Sequence, residues 1–306
     1  MISPEQITEA RTAAQINGDS TRPRRRTRRH PAVAEAMEPP ITTAAGLLAA
    51  VEEQDRAPET ARLGGDVVHV SSLLDREFCP RKSWLARYEQ RVIQRRAGGA
   101  MRVVWTMGRA AEHHIRIQLL KTMLHKAHGR WECDCRRSSA QGFFDAQASC
   151  PLCGSTLMHY AEQPLEFGNV TGSPDFIVAN EAEELVVMEI KSIQKKDFQP
   201  LTAPVEIHVR QASFYVHLLH ELGFRVQPVP IIFYVCKDFI VRESTYKSFD
   251  APRLNLDNPS SEIRLAFADA AEATAEEIPN RLPACQSCTS VVAARCPFVG
   301  SCFARL

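Results

Sequence analysis

No apolar run in this sequence is long enough to span a membrane, and the N-terminus lacks the apolar stretch of a secretory signal. The two absences together predict a soluble cytoplasmic chain, in which thiols stay reduced. Net charge is almost missing as well. Thirty-seven Lys and Arg face 36 Asp and Glu, and the balance of +1 names no partner. No internal repeat is visible, which excludes an array of stacked units. Residues 1–66 are short of aromatics and rich in Ala, Arg, Glu, Pro and Thr, so they cannot bury a core and read as a disordered arm, with one short helix at 44–53. Arg22, Arg24, Arg25, Arg26, Arg28 and Arg29 make that arm basic.

What remains, residues 67–306, has ordinary globular material: over the whole chain 44% of residues are hydrophobic and 24% charged. The apolar spacing predicts two short helices over 71–87, broken at Pro80, and a longer helix over 103–125. The period then changes to that of strands over 165–167, 170–178 and 185–190, the last two joined by a polar turn at 179–184. A helix over 205–222 stops at Gly223; strands follow at 231–236 and 239–243, then an Ala- and Glu-rich helix over 260–278. This order predicts an α/β core around a mixed sheet.

Nine of the ten cysteines fall into metal-binding arrangements. Cys150-Pro151-Leu152-Cys153-Gly154 has the form of a zinc knuckle, its glycine allowing a tight turn. With Cys133 and Cys135 it makes a four-cysteine zinc ribbon inserted at 131–160, too small to fold without its metal. The single residue between Cys133 and Cys135 is an unusual gap, which leaves His128 or His159 as alternative ligands. Four protein ligands leave no open position, so the role is structural or DNA-contacting. Cys236, in an apolar run, reads as a buried core thiol.

The chemistry converges on Asp175, Glu189 and Lys191. Asp175 starts one strand of a hairpin and Glu189 ends the returning strand, so both carboxylates reach the same sheet edge. Glu189 and Lys191 are two apart and share a face. Val186, Val187, Met188 and Ile190 make that strand apolar on both sides, and a buried carboxylate beside a buried ammonium needs a reason to be there. Two carboxylates with a nearby carbonyl such as that of Ile190 form an oxygen-rich site for Mg²⁺ or Mn²⁺, which can activate water against a phosphodiester. Lys191 then orients the water or neutralises developing charge.

The run Thr171-Gly172-Ser173-Pro174-Asp175, followed by Glu189-Ile190-Lys191, resembles the RecB-type branch of the PD-(D/E)XK nucleases, and Gln211-x3-Tyr215 resembles that branch's helix motif near bound DNA. Gly108-x3-Glu112 falls where the family carries a metal-ligating histidine; Glu112 matches members that use a carboxylate, with His113 as the alternative. The fold so implied is restriction-endonuclease-like. Around Cys79 the chain resembles iron–sulfur nucleases of the CRISPR-associated Cas-four type and AddB, in which one early and three late cysteines bind a [4Fe–4S] cluster. The late group is Cys285-x2-Cys288-x7-Cys296-Pro297-x4-Cys302, in the tail at 283–306. Its first gap is longer than the family's, so one of Cys285 and Cys288 is surplus. The expected set is Cys79, Cys288, Cys296 and Cys302, with Cys285 as alternative to Cys288 and zinc as alternative to the cluster.

The resemblance implies a DNA exonuclease on single strands or ends, serving recombination, repair or CRISPR-type processing in a bacterial or phage-infected cell. Arg81, Lys82, Arg87, Arg91, Arg95 and Arg96, with the basic arm, are candidates for tracking phosphates. The competing reading is a non-catalytic DNA-binding module with structural zinc sites.

Overall fold

A computed structural model describes residues 67–74, 78–89, 99–133, 135, 149–150, 152–156, 158–238 and 245–304. The arm at 1–66, Arg91, Arg95, Arg96 and the strand expected at 239–243 lie outside the described residues. By its internal contacts the chain forms two units, Met1–Glu59 with Arg96–Val103 and Thr60–Arg95 with Val104–Leu306. The described part of the first unit is the start of one helix, and every other described residue belongs to the second.

In chain order the elements begin with β1 (Val68–His69), α1 (Val70–Leu73), α2 (Pro80–Tyr88) and α3 (Gly99–Met123). A hairpin region follows, with β2 (Ala127–His128), β3 (Arg130–Cys133), β4 (Met158–Ala161), β5 (Leu165–Phe167) and β6 (Val170–Gly172). Next come β7 (Phe176–Ala179), β8 (Leu185–Ile193), α4 (Lys195–Phe198), α5 (Glu206–Glu221), β9 (Ile231–Cys236) and β10 (Tyr246–Asp250). The chain closes with α6 (Ser261–Thr274), α7 (Val291–Ala294) and α8 (Val299–Ala304).

β8 is the middle strand of a mixed sheet ordered β10-β9-β8-β7-β2, parallel to β9 and antiparallel to β7. Its position follows from its sequence: Leu185 to Ile190 are all buried, and only a central strand covered on both faces can hide them. Even-numbered Val186, Met188 and Ile190 meet Phe176, Val178 and the Ile115 face of α3. Odd-numbered Leu185 and Val187 meet Ile177, Ile232, Tyr234 and the Phe214–Leu219 stretch of α5. Glu189 and Lys191 continue the odd series, so they lie toward α5 at the end of the sheet. α6 packs outside α5, with Phe267 at 5.0 Å from Phe214 and 6.3 Å from Phe167. α2 caps the far end of α6: Trp84 Nε1 donates to Ala275 O, and Arg87 donates to Thr274 O and Ala275 O at 2.7–2.9 Å.

Several boundaries differ from the sequence reading. The strand expected over 170–178 is two strands in two sheets: β6 joins β1 and β5, whereas β7 joins β8 and β2. Pro174 lies in the break, where its missing N–H cannot serve a ladder. β8 runs to Ile193 rather than Ile190 because the parallel register carries on to Ile193–Cys236. Pro80 begins α2 instead of breaking a helix, with the Cys79 thiol at the N-cap, where a missing N–H costs nothing. The antiparallel partner of β9 is β10 at Tyr246–Asp250. α6 ends at Thr274, four residues early, where Trp84 and Arg87 take its last carbonyls.

Candidate active site

The β7–β8 register pairs Phe176 with Met188, which sets Asp175 across from Glu189 one step further along. Directly opposed residues have Cβ atoms about 5 Å apart. Asp175 Oδ2 accepts from the Ile190 N–H at 2.7 Å, and Lys191 Nζ donates to Glu189 Oε1. Glu189 is 1% exposed and its Oε2 has no hydrogen-bond partner, so a buried carboxyl oxygen goes unanswered.

Two glycines let helices approach this edge. A Cβ on Gly108 would stand 2.9 Å from Ser192 Oγ, so its absence lets α3 approach the end of β8. Four residues on, Glu112 Oε1 accepts from Ser192 Oγ at 3.4 Å. A Cβ on Gly172 would stand 2.6 Å from Tyr215 Cε1, which explains why glycine precedes Ser173-Pro174-Asp175. Tyr215 is fully buried and its hydroxyl accepts from Gln211 Nε2 at 2.9 Å.

The electrostatics share one pattern. Burial, then Asp175, raises the pKa of Glu189; burial raises that of Asp175; burial, then Asp175, raises that of Glu112. Burial alone would lower the Lys191 ammonium, but Glu189 and then Asp175 outweigh it and hold it above its ordinary value. A raised Glu189 and a raised Lys191 pull opposite ways within one pair. One ammonium can answer only one of the carboxylates, so burial and the remaining negative charge raise their pKa values while the same carboxylates hold Lys191 up. Asp175, Glu189 and Glu112 do not all come within 4.8 Å of one another.

Of the predicted residues, Asp175, Glu189, Lys191, Glu112, Gln211 and Tyr215 come together, and the backbone N–H of Ile190 joins them. His113, the alternative to Glu112, and the adjacent His114 are exposed, whereas Glu112 is half-buried against Ser192. Sequence reasoning missed two residues. Arg116 Nη2 lies 2.7 Å from Glu162 Oε1 and 4.0 Å from Asp175 Oδ1. Arg116 could have been found one helical turn after Glu112; Glu162, just beyond β4, carries no pattern in the sequence. Arg81 and Arg87, expected to track phosphates, instead spend their guanidiniums on backbone carbonyls, Arg81 on Pro279 and Cys302.

The thiols form two further sites. Cys133, Cys135, Cys150 and Cys153 have all four sulfurs within 4.8 Å, a set able to hold a metal ion without His128 or His159. Cys133 Sγ is 3.6 Å from Cys153 Sγ, and Cys135 Sγ is 3.8 Å from Cys150 Sγ. At the second group the structure gathers the set that has Cys285 in place of Cys288. Cys79, Cys285, Cys296 and Cys302 line one cavity, whereas Cys288 is exposed and outside it. Burial, with Cys285, Cys296 and Cys302 nearby, raises the Cys79 thiol, although its sulfur accepts the Lys82 N–H at 3.4 Å. Arg281 also lines this cavity and donates to Cys302 O. These four sulfurs are more widely spread than the first quartet. Cys236 is buried, as expected.

No protein-family model matches the chain, and no curated protein matches it in sequence. Among solved structures it is similar to the crystal structure of SSO0001, at 15% identity and a TM-score of 0.36, over 82% of this chain and 94% of that one. A likeness that weak specifies neither fold nor function. Among the described residues, no helix is long and apolar enough to cross a membrane.

Proposed function

We propose that the chain is a divalent-metal-dependent DNA nuclease on a restriction-endonuclease-like core, with Asp175, Glu189 and Glu112 as metal ligands. The observation that carries this reading is the buried shortage of positive charge. Four carboxylates, including Glu162, share two cations, Lys191 and Arg116, and Glu189 Oε2 is buried with no partner. A carboxylate donor set suits a hard ion such as Mg²⁺ or Mn²⁺, so the residues fit the group.

When bound, such an ion polarises a phosphoryl oxygen and makes its water acidic. The chain's own residues do the rest. Asp175 and Glu189, freed of shared protons, hold negative charge in a dry strand end. Lys191, no longer needed by Glu189, donates to an oxygen of the phosphodiester and answers charge as it develops there. Gln211, held by the buried Tyr215 hydroxyl, stands on the α5 side and orients the substrate strand. DNA as substrate rests on the resemblance of the Gly172–Asp175, Glu189-x-Lys191 and Gln211-x3-Tyr215 motifs, and exposed Lys195 and Lys196 just past β8 suit phosphates.

In the same reading the compact thiol quartet binds zinc. Zn–S bonds of 2.3 Å in a tetrahedron put sulfurs about 3.8 Å apart, the spacing seen between Cys135 and Cys150. Cys79, Cys285, Cys296 and Cys302 bind a [4Fe–4S] cluster, because a polynuclear centre spreads its thiolates further than one ion does.

The test is incubation of the purified chain with Mn²⁺ and end-labelled single-stranded DNA, beside Asp175→Asn and Lys191→Ala. Cleavage by the wild type alone, with DNA binding kept in both variants, is expected. Binding without cleavage by the wild type overturns the reading in favour of a non-catalytic DNA-binding module.

A further inference from the structure

Arg116 stands between two carboxylates and is committed to one of them. Its Nη2 is 2.7 Å from Glu162 Oε1 but 4.0 Å from Asp175 Oδ1, and its side chain is only 13% exposed. Its Nε is buried without a partner, so the guanidinium is held at one end only. The group lies 5.9 Å over the Tyr160 ring, which rests 5.1 Å from Phe176, the neighbour of Asp175. A shift of about an ångström would bring Arg116 into full contact with Asp175, a bidentate-capable partner for any guanidinium. A paired Asp175 is a poor ligand for a cation, because the arginine already supplies the charge that the ion would bring.

Glu162 prevents this, and its place is set by the cysteine insertion. It follows β4 directly, and the β3–β4 register runs from Cys133–Met158 at the thiol end to Arg130–Ala161 at the other. Trp131 packs edge-on against Tyr160 at 5.3 Å, and the Tyr160 hydroxyl donates to His128 O at 3.1 Å. A Cβ on Gly129 would stand 2.3 Å from the Tyr160 ring, so this end of the hairpin is closely fitted. The thiol quartet thus fixes one end of a ribbon whose opposite end carries Glu162 to Arg116.

We propose that Glu162 is a positioning residue that draws the Arg116 guanidinium off Asp175 and so leaves Asp175 free to bind a divalent cation. The inference rests on the metal centre proposed above, and gives the cysteine insertion a role in building it.

Mn²⁺ binding, followed by the loss of the free-ion electron paramagnetic resonance signal on titration of the full chain, tests both without an activity assay. Wild type binds, and Asp175→Asn marks the site by losing that binding. Glu162→Gln is expected to bind roughly two- to fivefold more weakly, the size of one redirected, partly screened charge contact. Arg116→Met alone binds at least as well as wild type, and the Glu162→Gln/Arg116→Met double variant recovers wild-type affinity. A purely structural Glu162 predicts the reverse, with the double variant the weakest. Glu162→Gln binding like wild type, or a double variant no better than Glu162→Gln, overturns the proposal while leaving the metal centre intact. Wild-type binding that Asp175→Asn does not change removes the centre itself, and the role of Glu162 with it.

Discussion

Replacing Glu189 with Gln removes one buried negative charge while keeping the side chain's volume and an acceptor for Lys191. In the metal-free protein Asp175 and Glu189 bind protons more tightly folded than unfolded, because burial raises both pKa values, helped by Asp175 at Glu189 and by Glu162 at Asp175. A carboxyl whose folded pKa is raised costs nothing below the ordinary carboxylate range, where both states are protonated. Its cost grows as pH rises above that range toward the raised folded value. Each tenfold gain in proton affinity on folding is worth about 1.4 kcal/mol of that cost at high pH. Lys191 stays answered by Asp175 and Glu112 in the variant, so no new unpaired charge appears. Glu189→Gln should therefore stabilise the chelated protein at pH 8 by about 1–3 kcal/mol. At about 2–4 °C per kcal/mol for a domain of this size, Tm rises by several degrees. Calorimetry between pH 5 and pH 8 in chelator should show the wild type weakening with pH and the variant flatter. With Mn²⁺ the order reverses, since only the wild type gains from the ion. A variant that melts below the wild type at pH 8 in chelator, or that keeps the wild-type slope, refutes the charge shortage on which the active-site reading stands.

Cys285→Ser should abolish the iron content and visible absorption of anaerobically purified protein, whereas Cys288→Ser keeps both; equal loss in the two contradicts the assignment of the cavity thiols. Cys150→Ser should lower the zinc content measured by mass spectrometry to nothing at the quartet and weaken Mn²⁺ binding through the loosened hairpin. Gly172→Ala places a methyl 2.6 Å from Tyr215 Cε1, so it should lower stability by about 1–3 kcal/mol in denaturant titration, as forced overpacking does.

How much the sequence made legible depends on the range of the interactions involved. The central strand was readable because Leu185–Ile190 is apolar on both faces, a local pattern that only a doubly covered strand satisfies. Glu189 and Lys191 were readable for the same reason, as charges where the pattern leaves no solvent. The split of 170–178 into two strands depends on which sheets β6 and β7 join, a long-range choice that Pro174 permits but does not announce. The choice between Cys285 and Cys288 likewise turns on a turn in the tail that puts one thiol into the cavity and the other into water. Arg81 and Arg87 look like phosphate-binding residues in sequence, yet their partners are carbonyls nearly two hundred residues away.

Glu162 belongs to neither class, since no periodicity or motif marks it. Its importance comes from a chain of contacts that crosses the insertion: Tyr160 on Phe176, Arg116 over Tyr160, Glu162 on Arg116. An insertion that only added a DNA-contacting knob would be expected to meet the core through solvent-facing loops. Here its hairpin ends at Glu162 beside Arg116 and Asp175, with Trp131 buried against the same sheet face as Ile115 and Met188. In the proposed reading, a metal at the thiol quartet would brace the ribbon of four residue pairs whose other end carries Glu162 toward the carboxylates.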